Sequence, residues 1–175
     1  MSTTSLVLTL IGDDRPGLVK LLSDTIRNHD GNWQESHMAQ LAGKFAGILR
    51  VAVAADRAEP LTEALRALQG QGLTVVVESS ATASAGDSQT LILELVGQDR
   101  PGIVRDIAET LAAAHISIDE MESWVSSASM SGEELFHAQA RLQVPAEMAT
   151  DELRTTLEAL ADEMMVDINL DLAED

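Results

Sequence analysis

The sequence predicts an α+β protein built from two tandem copies of one βαββαβ unit. The first observation is an internal repeat, because Leu6–Val19 aligns without a gap on Leu91–Val104 at an offset of 85 residues. The second is that apolar residues change their spacing in the same order in both copies. A later pair of segments, Arg50–Val53 and Arg141–Val144, aligns at an offset of 91, so the second copy carries about six extra residues.

Each copy begins with a continuous apolar run that is typical of a buried central strand, Leu6–Ile11 in the first and Leu91–Val96 in the second. An amphipathic helix follows, since apolar residues then recur at helical spacing and form one stripe. The stripe consists of Leu18, Leu22 and Ile26 in the first copy and of Ile103, Ile107 and Leu111 in the second.

A β-hairpin is predicted next, from residues 32–41 and 45–54 in the first copy and residues 116–126 and 135–144 in the second. Gly43-Lys44 links the first pair of strands, whereas the serine-containing stretch Ser126–Glu134 accommodates the extra residues as a longer loop. A second amphipathic helix, at 61–68 and 153–160, and a last strand, at 73–77 and 164–170, complete the order.

Residues 79–88 are mostly small and lack apolar periodicity. We therefore place the first domain at residues 1–80, a flexible linker at 81–88 and the second domain at 89–175. Short connections and right-handed crossovers favour a ferredoxin-like sandwich in each domain, with an antiparallel sheet and helices on one face. Exposed sheet edges favour side-by-side pairing, so we expect a homo-oligomer or pairing within the chain.

The charge of the chain limits its partners. It carries 29 acidic and 11 basic residues, a formal charge of −18. Because phosphate contacts need Lys and Arg, direct nucleic-acid binding and attachment to anionic membranes are disfavoured, whereas a zwitterion or a basic protein is not repelled. No signal peptide or membrane-spanning run is recognisable, which predicts a soluble cytoplasmic protein.

Metal and catalytic chemistry have little support in the residue types. Cysteine is absent, and the four histidines are scattered rather than set at ligand spacing, so we predict neither a metal nor another cofactor. Hydroxyl side chains are concentrated in two serine-rich stretches, at residues 79–88 and 126–131, and neither stretch recurs in the other copy. Their small neighbouring residues are typical of flexible connections and not of a catalytic site, so we expect no enzyme. An acylphosphatase-like enzyme that uses Arg15 and Arg100 stays open as a weak alternative, although the acidic residues beside them oppose phosphate binding.

The functional hypothesis depends on the loop between the first strand and the first helix. This loop is Gly-Asp-Asp-Arg-Pro-Gly at 12–17 and Gly-Gln-Asp-Arg-Pro-Gly at 97–102. Its first glycine permits a sharp departure from the strand, its Asp before Arg can cap amide groups, and its proline suits a first helical turn. A final glycine inside that turn exposes N–H groups at the positive helix end, where a carboxylate can bind. A purely structural, well-capped turn remains the alternative.

These loops, continued by Leu-Val and Ile-Val after a buried strand, resemble the opening of ACT domains, which are ferredoxin-like modules that commonly bind amino acids. The tandem arrangement without an attached enzyme is similar to the glycine cleavage system transcriptional repressor family. Members of that family are understood to sense glycine and to act by protein contact with a DNA-binding activator.

The resemblance implies sites where paired modules meet, formed by the strand–helix loop of one module and the start of the second strand of the other. The ligand-binding residues it implies are Asp14, Arg15, Gly17, Leu18 and Asn32 in the first copy and Asp99, Arg100, Gly102, Ile103 and Ser117 in the second. Ser117 departs from the polar pattern that Asn32 provides, so either the two sites differ in affinity or only one binds.

We therefore predict a non-catalytic regulator that senses a small amino acid, with glycine or serine favoured. Its partner is expected to be a transcriptional regulator of glycine cleavage or one-carbon metabolism. The alternative is a ligand-independent adaptor that uses acidic sheet edges and the long second hairpin to regulate a metabolic enzyme. Trp33, which stands next to Asn32, is expected to pack in the core rather than to stack on a ligand.

Overall fold

The computed structural model describes residues 2–80 and 86–173, and the chain divides into two compact units, Met1–Ser84 and Ala85–Asp175. Each unit contains a four-stranded antiparallel sheet and two α-helices in βαββαβ order. Residues 81–85 of the predicted linker lie outside the described residues, and the first strand of unit 2 begins at Ser88.

The elements follow the predicted order in both units, although the last strand of unit 2 begins at Val166 and not at residue 164, because Met164 ends the preceding helix. In unit 1 they are β1 (Thr3–Asp13), α1 (Leu18–Asn28), β2 (Asn32–Leu41), β3 (Lys44–Ala54), α2 (Ala58–Ala67) and β4 (Leu73–Ser80). In unit 2 they are β5 (Ser88–Gln98), α3 (Ile103–Ala113), β6 (Ser117–Ser127), β7 (Glu134–Pro145), α4 (Thr150–Met164) and β8 (Val166–Leu172). Two short 3₁₀ turns, Ala55–Arg57 and Leu68–Gln71, flank α2.

The strand order is β2-β3-β1-β4 in unit 1 and β6-β7-β5-β8 in unit 2, so the apolar runs β1 and β5 are central as predicted. One face of β1 contributes Leu6, Leu8 and Leu10 to the core that the helices cover. The opposite face of the same sheet includes Ile11 and Ile48, which are half exposed. The helices therefore cover one face of the sheet only. On that face, each fully buried leucine stabilises the fold by roughly 1.5–3 kcal/mol relative to an exposed one.

The hairpins differ between the units in the way that the sequence offsets require. Leu41 pairs with Lys44 in unit 1, whereas the corresponding Ser126 pairs with Leu135 in unit 2. The insertion extends the ladder by one pair, Ser127 with Glu134, and then forms a loop in which Ala128 N donates to the Glu133 carbonyl at 2.7 Å. The predicted insertion point is confirmed.

Both second strands contain a register shift near their start, between Trp33 and Glu35 in β2 and at the corresponding place in β6. Directly after the shift, Glu35 forms an ion pair with Arg50 at 3.0 Å, and Glu120 forms one with Arg141 at 3.6 Å. Cross-strand ion pairs of this kind contribute modestly to the stability of strand pairing. No helix in the described part of the chain is long and apolar enough to cross a membrane.

Candidate functional site

The strand–helix loops of the two units share one backbone conformation. Gly17 has φ 92° and ψ 0°, and Gly102 has φ 90° and ψ −3°, and each residue is the N-cap of the helix that follows it. A proline followed by a left-handed glycine is the sequence of a type II turn. Gly17 and Gly102 therefore precede their helices, which corrects the expectation that they lie in the first helical turn. Glycine is required at both positions because the backbone is left-handed there.

The first turns of α1 and α3 have no side-chain cap among the described residues. Asp14 and Asp99, which we expected as caps, instead donate their main-chain N–H groups to the carbonyls of Gly43 and Glu134, both at 2.9 Å. A Cβ atom at Gly17 would meet nothing within 4 Å, and the same holds at Gly102. Because first-turn N–H groups have no partner within a helix, each unit presents an uncapped, positively polarised helix end beside open space.

The first glycine of each loop serves close packing between strands. A Cβ atom at Gly12 would lie 2.5 Å from the carbonyl oxygen of Gly72, and one at Gly97 would lie 2.3 Å from Cγ1 of Val166. Strand β1 continues through Gly12 to Asp13. The expectation of a sharp departure from the strand is therefore wrong, and the glycine is required because the start of the neighbouring strand approaches so closely.

The two loop arginines make different contacts. Arg15 Nη2 donates to the main-chain carbonyl of Gln71 at 2.5 Å, whereas Arg100 Nη2 donates to Asp106 Oδ2 at 3.1 Å. The position that corresponds to Asp106 is Leu21 in unit 1, which offers no carboxylate. Both guanidinium groups thus contact residues of their own unit.

The hydrophobic members of the predicted set belong to the core. Leu18 and Ile103 are each 3% exposed, so their side chains anchor the helices and do not line an open site. Trp33 is half buried against the core of unit 1, and its Nε1 donates to Ser36 Oγ at 3.3 Å, as expected for a packing role. Ile118, at the corresponding position in unit 2, is 38% exposed.

Asn32 and Ser117 are exposed, but neither unit brings them to its own loop. In unit 1, Asn32 pairs with Ala52, which pairs with Ser5, whereas the loop begins beyond Gly12 at the other end of β1. At about 3.4 Å per residue, Ser5 and Gly12 are about 24 Å apart. The loop residues of each unit therefore lie together, and the contribution of a second module that the resemblance implies remains a prediction.

The loop of unit 1 is bordered by an ion pair between Asp13 and Lys44 that has no counterpart at the same positions of unit 2. Lys44 donates to the Asp13 carboxylate, and this hydrogen bond, together with the positive charge, lowers the pKa of Asp13 from its ordinary value of 3.8. Unit 2 has Gln98 and Leu135 at the corresponding positions. The two loops thus share a backbone but differ in local charge.

One polar cluster was missed by sequence reasoning. On the uncovered face of the second sheet, the Trp124 and His137 rings stack with centroids 5.2 Å apart, and Ser126 Oγ lies 2.7 Å from His137 Nε2. A serine beside a histidine suggests nucleophilic chemistry, but no hydrogen bond joins a carboxylate to this histidine in the described residues. Within the same residues, no cluster of His, Asp and Glu could hold a metal ion. The pairing register of the hairpin brings these side chains together, and no local sequence motif indicates the cluster.

Comparisons with known proteins agree with this architecture. Two family models, both described as ACT domain, match residues 4–78 and 91–162, which together span most of the chain. A crystal structure of an unknown protein from Galdieria sulphuraria is 29% identical, with a TM-score of 0.88 and coverage of 99% of this chain and 100% of that one.

A second solved structure, of a protein provisionally assigned as a glycine cleavage system transcriptional repressor, is 18% identical, with a TM-score of 0.78 and complete coverage of both chains. At this identity the similarity demonstrates a shared fold. The curated protein sequences contain no match to the chain.

Proposed function

Because the chain belongs to the ACT domain family, we propose that it is a non-catalytic regulator that senses a small amino acid and modulates a partner protein. The observation that carries this proposal is the uncapped N-terminus of α1 and of α3, each next to a left-handed glycine with open space beside it. Backbone N–H groups in that position bind carboxylates. Two tandem modules of this family suit a regulator that acts through contact with a partner.

In this proposal the ligand carboxylate accepts hydrogen bonds from the first-turn amides that follow Gly17 and Gly102. The ammonium group interacts with Asp14 or Asp99, or with carbonyl oxygens of the loop. Asn32 adds a donor and an acceptor at a second part of the ligand, and Ser117 is the shorter counterpart. Because Leu18 and Ile103 point into the core, the preference for glycine or serine depends on the family resemblance and not on the loop geometry.

The partner in this proposal is a DNA-binding regulator of glycine cleavage or one-carbon metabolism, since the resemblance points to that family and the chain has the fold of one protein so assigned. The formal charge of −18 is compatible with a basic protein partner and opposes direct contact with DNA. Arg15 is engaged by the Gln71 carbonyl, which disfavours the alternative in which it holds a phosphate for catalysis.

A ligand-independent adaptor is the second candidate, and one observation favours it. The loop glycines already have structural reasons, a positive φ at Gly17 and a close backbone approach at Gly12. In that case the loops are needed for folding alone, and the protein binds its partner without a small molecule.

Thermal unfolding in a panel of free amino acids at millimolar concentration separates the two candidates. A ligand at about a hundred times its Kd stabilises the folded state by about 2.7 kcal/mol, which raises Tm by several degrees for domains of this size. Methylamine and acetate, each carrying half of the amino-acid chemistry, serve as controls and should shift Tm much less. If no amino acid shifts Tm, the sensor proposal is wrong and the adaptor is favoured. Turnover of an acyl phosphate would overturn the non-catalytic assignment.

A further inference from the structure

A groove of about 570 Å³ runs between α3 and α4 on the helix-covered side of unit 2. Leu160 and Met164, which are half buried and buried, contribute an apolar floor, and the small Ala113 lines one wall. Three carboxylate residues border this floor, namely Asp106, Glu109 and Glu163. The groove therefore combines an apolar floor with an acidic rim.

Small residues line the groove, and unit 1 has larger side chains at the corresponding positions. At an offset of 85, Ala113 and Ala114 replace Asn28 and His29, and Asp106 replaces Leu21. In unit 1, Leu21 packs against the core and His29 Nδ1 contacts the Thr25 carbonyl oxygen at 2.9 Å. Larger side chains thus stand in unit 1 at the positions where unit 2 has alanines.

The rim carboxylates retain capacity for a cationic partner. Asp106 contacts Arg100 at 3.1 Å, and Glu109 contacts Arg105 at 3.7 Å with both side chains mostly exposed. Glu163 forms no ion pair with any described residue. Exposed pairs of this kind contribute about 0–1 kcal/mol, so a partner that brings several cations can replace them.

The shape and charge of the groove select one class of occupant. An amphipathic helix laid into a groove buries apolar side chains at positions i, i+3/i+4 and i+7 and keeps charged side chains at the edges. A second copy of this chain, with a formal charge of −18, is repelled from the acidic rim, and nucleic acid is repelled for the same reason. A basic helix meets both the apolar floor and the acidic rim.

We propose that the α3–α4 groove docks a basic amphipathic helix of a partner protein. The proposal deepens the regulatory function above and rests on it for the existence of a partner. Docking itself requires no amino-acid ligand, so the two can be tested separately.

The test uses fluorescence anisotropy of an 18-residue peptide with leucines at helical spacing on one face and lysines elsewhere, at physiological salt. The full chain should bind this peptide, and a version with glutamate in place of lysine should not bind. The triple variant Asp106→Asn/Glu109→Gln/Glu163→Gln should weaken binding roughly tenfold, because three partly exposed ion pairs each contribute modestly. Ala113→Trp fills the groove without changing the charge and should weaken binding at least as much.

A matched triple variant, Glu59→Gln/Glu63→Gln/Glu78→Gln, removes three carboxylates from unit 1 and should change the Kd less than twofold. Equal losses in both triple variants would mean that the overall acidity binds the peptide, and the proposal would be wrong. It would also be wrong if the lysine peptide did not bind, or if a folded Ala113→Trp variant bound normally. The charge variants are isosteric, with Asp106 half buried and the two glutamates exposed, so they decide the question even if the tryptophan variant fails to fold. A missing amino-acid response in thermal unfolding leaves these outcomes unchanged.

Discussion

Arg100 Nη2 lies 3.1 Å from Asp106 Oδ2, so the strand–helix loop of unit 2 is joined to the first turn of α3. The corresponding Arg15 donates to the Gln71 carbonyl instead, because Leu21 stands where unit 2 has Asp106. The loops nevertheless have the same backbone conformation, with φ near 90° at the final glycine. What the two copies share is thus a set of backbone amides and not an arginine contact.

Replacing Arg100 with alanine should therefore cost less than about 1 kcal/mol of unfolding free energy, because both partners of the ion pair are partly exposed. The amino-acid response should persist in this variant and in Arg15→Ala, since the amides remain. Urea unfolding measures the first effect, and thermal unfolding with ligand measures the second. Loss of the response in a folded variant would show that the arginine binds the ligand.

Gly17→Ala and Gly102→Ala should each destabilise the protein by about 1–2 kcal/mol. The cause is the left-handed backbone and not a clash, since a Cβ atom would have free space at both positions. Asparagine tolerates this conformation better, so Gly17→Asn should cost less than Gly17→Ala. Gly70→Ala is the control, because a Cβ atom there also meets nothing and no positive φ is involved. Equal costs at Gly17 and Gly70 would refute the conformational explanation.

Lys44→Ala should return the pKa of Asp13 to its ordinary range, which an NMR titration of the carboxylate measures. Because the pKa of Asp13 is lower in the folded protein than in the unfolded chain, raising the pH through this range stabilises the folded state. The contribution of the pair to stability is present above pH 3.8 and is lost as the pH falls through the lower folded-state pKa. Lys20→Ala, which removes the separate ion pair with Asp24, should leave the Asp13 titration unchanged.

His115→Gly should stabilise unit 2 by about 0.5–1 kcal/mol. His115 has φ 58° just after α3, where its N–H donates to the Ala112 carbonyl and the Ile116 N–H donates to the Leu111 carbonyl, both at 3.0 Å. This is the Schellman arrangement, in which glycine is preferred. Ala114→Gly is the control: with φ −91°, it gains nothing from glycine and should destabilise. Urea unfolding that shows the same sign for both variants would contradict the prediction.

The features of the fold that the sequence predicts correctly depend on residues that are close together in the chain. Apolar periodicity placed the strands and helices, and the offset of the repeat located the longer loop after Ser126, because both depend on neighbouring residues. The roles of Gly12 and Arg15 could not be predicted, since their reasons lie in the backbone at Gly72 and Gln71, far away in sequence. The sequence does not place Gly17 correctly, because a Pro-Gly pair suits both a first helical turn and the turn that precedes a helix.

Two further features depend on strand register or on the absence of large side chains. The stacking of Trp124 on His137 follows from the pairing of β6 with β7, which a sequence does not specify to the residue. The α3–α4 groove arises where Ala113 and Ala114 leave space, and small residues in a helix usually indicate nothing more than helix propensity.

The most direct test of an amino-acid site at the loops is an amide ¹H–¹⁵N NMR titration of the full chain with glycine, repeated with serine. Carboxylate binding at a helix N-terminus should produce saturable shifts that are largest for the amides of residues 17–20, of residues 102–105, or of both. A difference between the two sets would show that the two sites have different affinities for the ligand. The proposal would be contradicted if saturable shifts occurred elsewhere while both sets stayed unchanged, or if neither amino acid caused any shift.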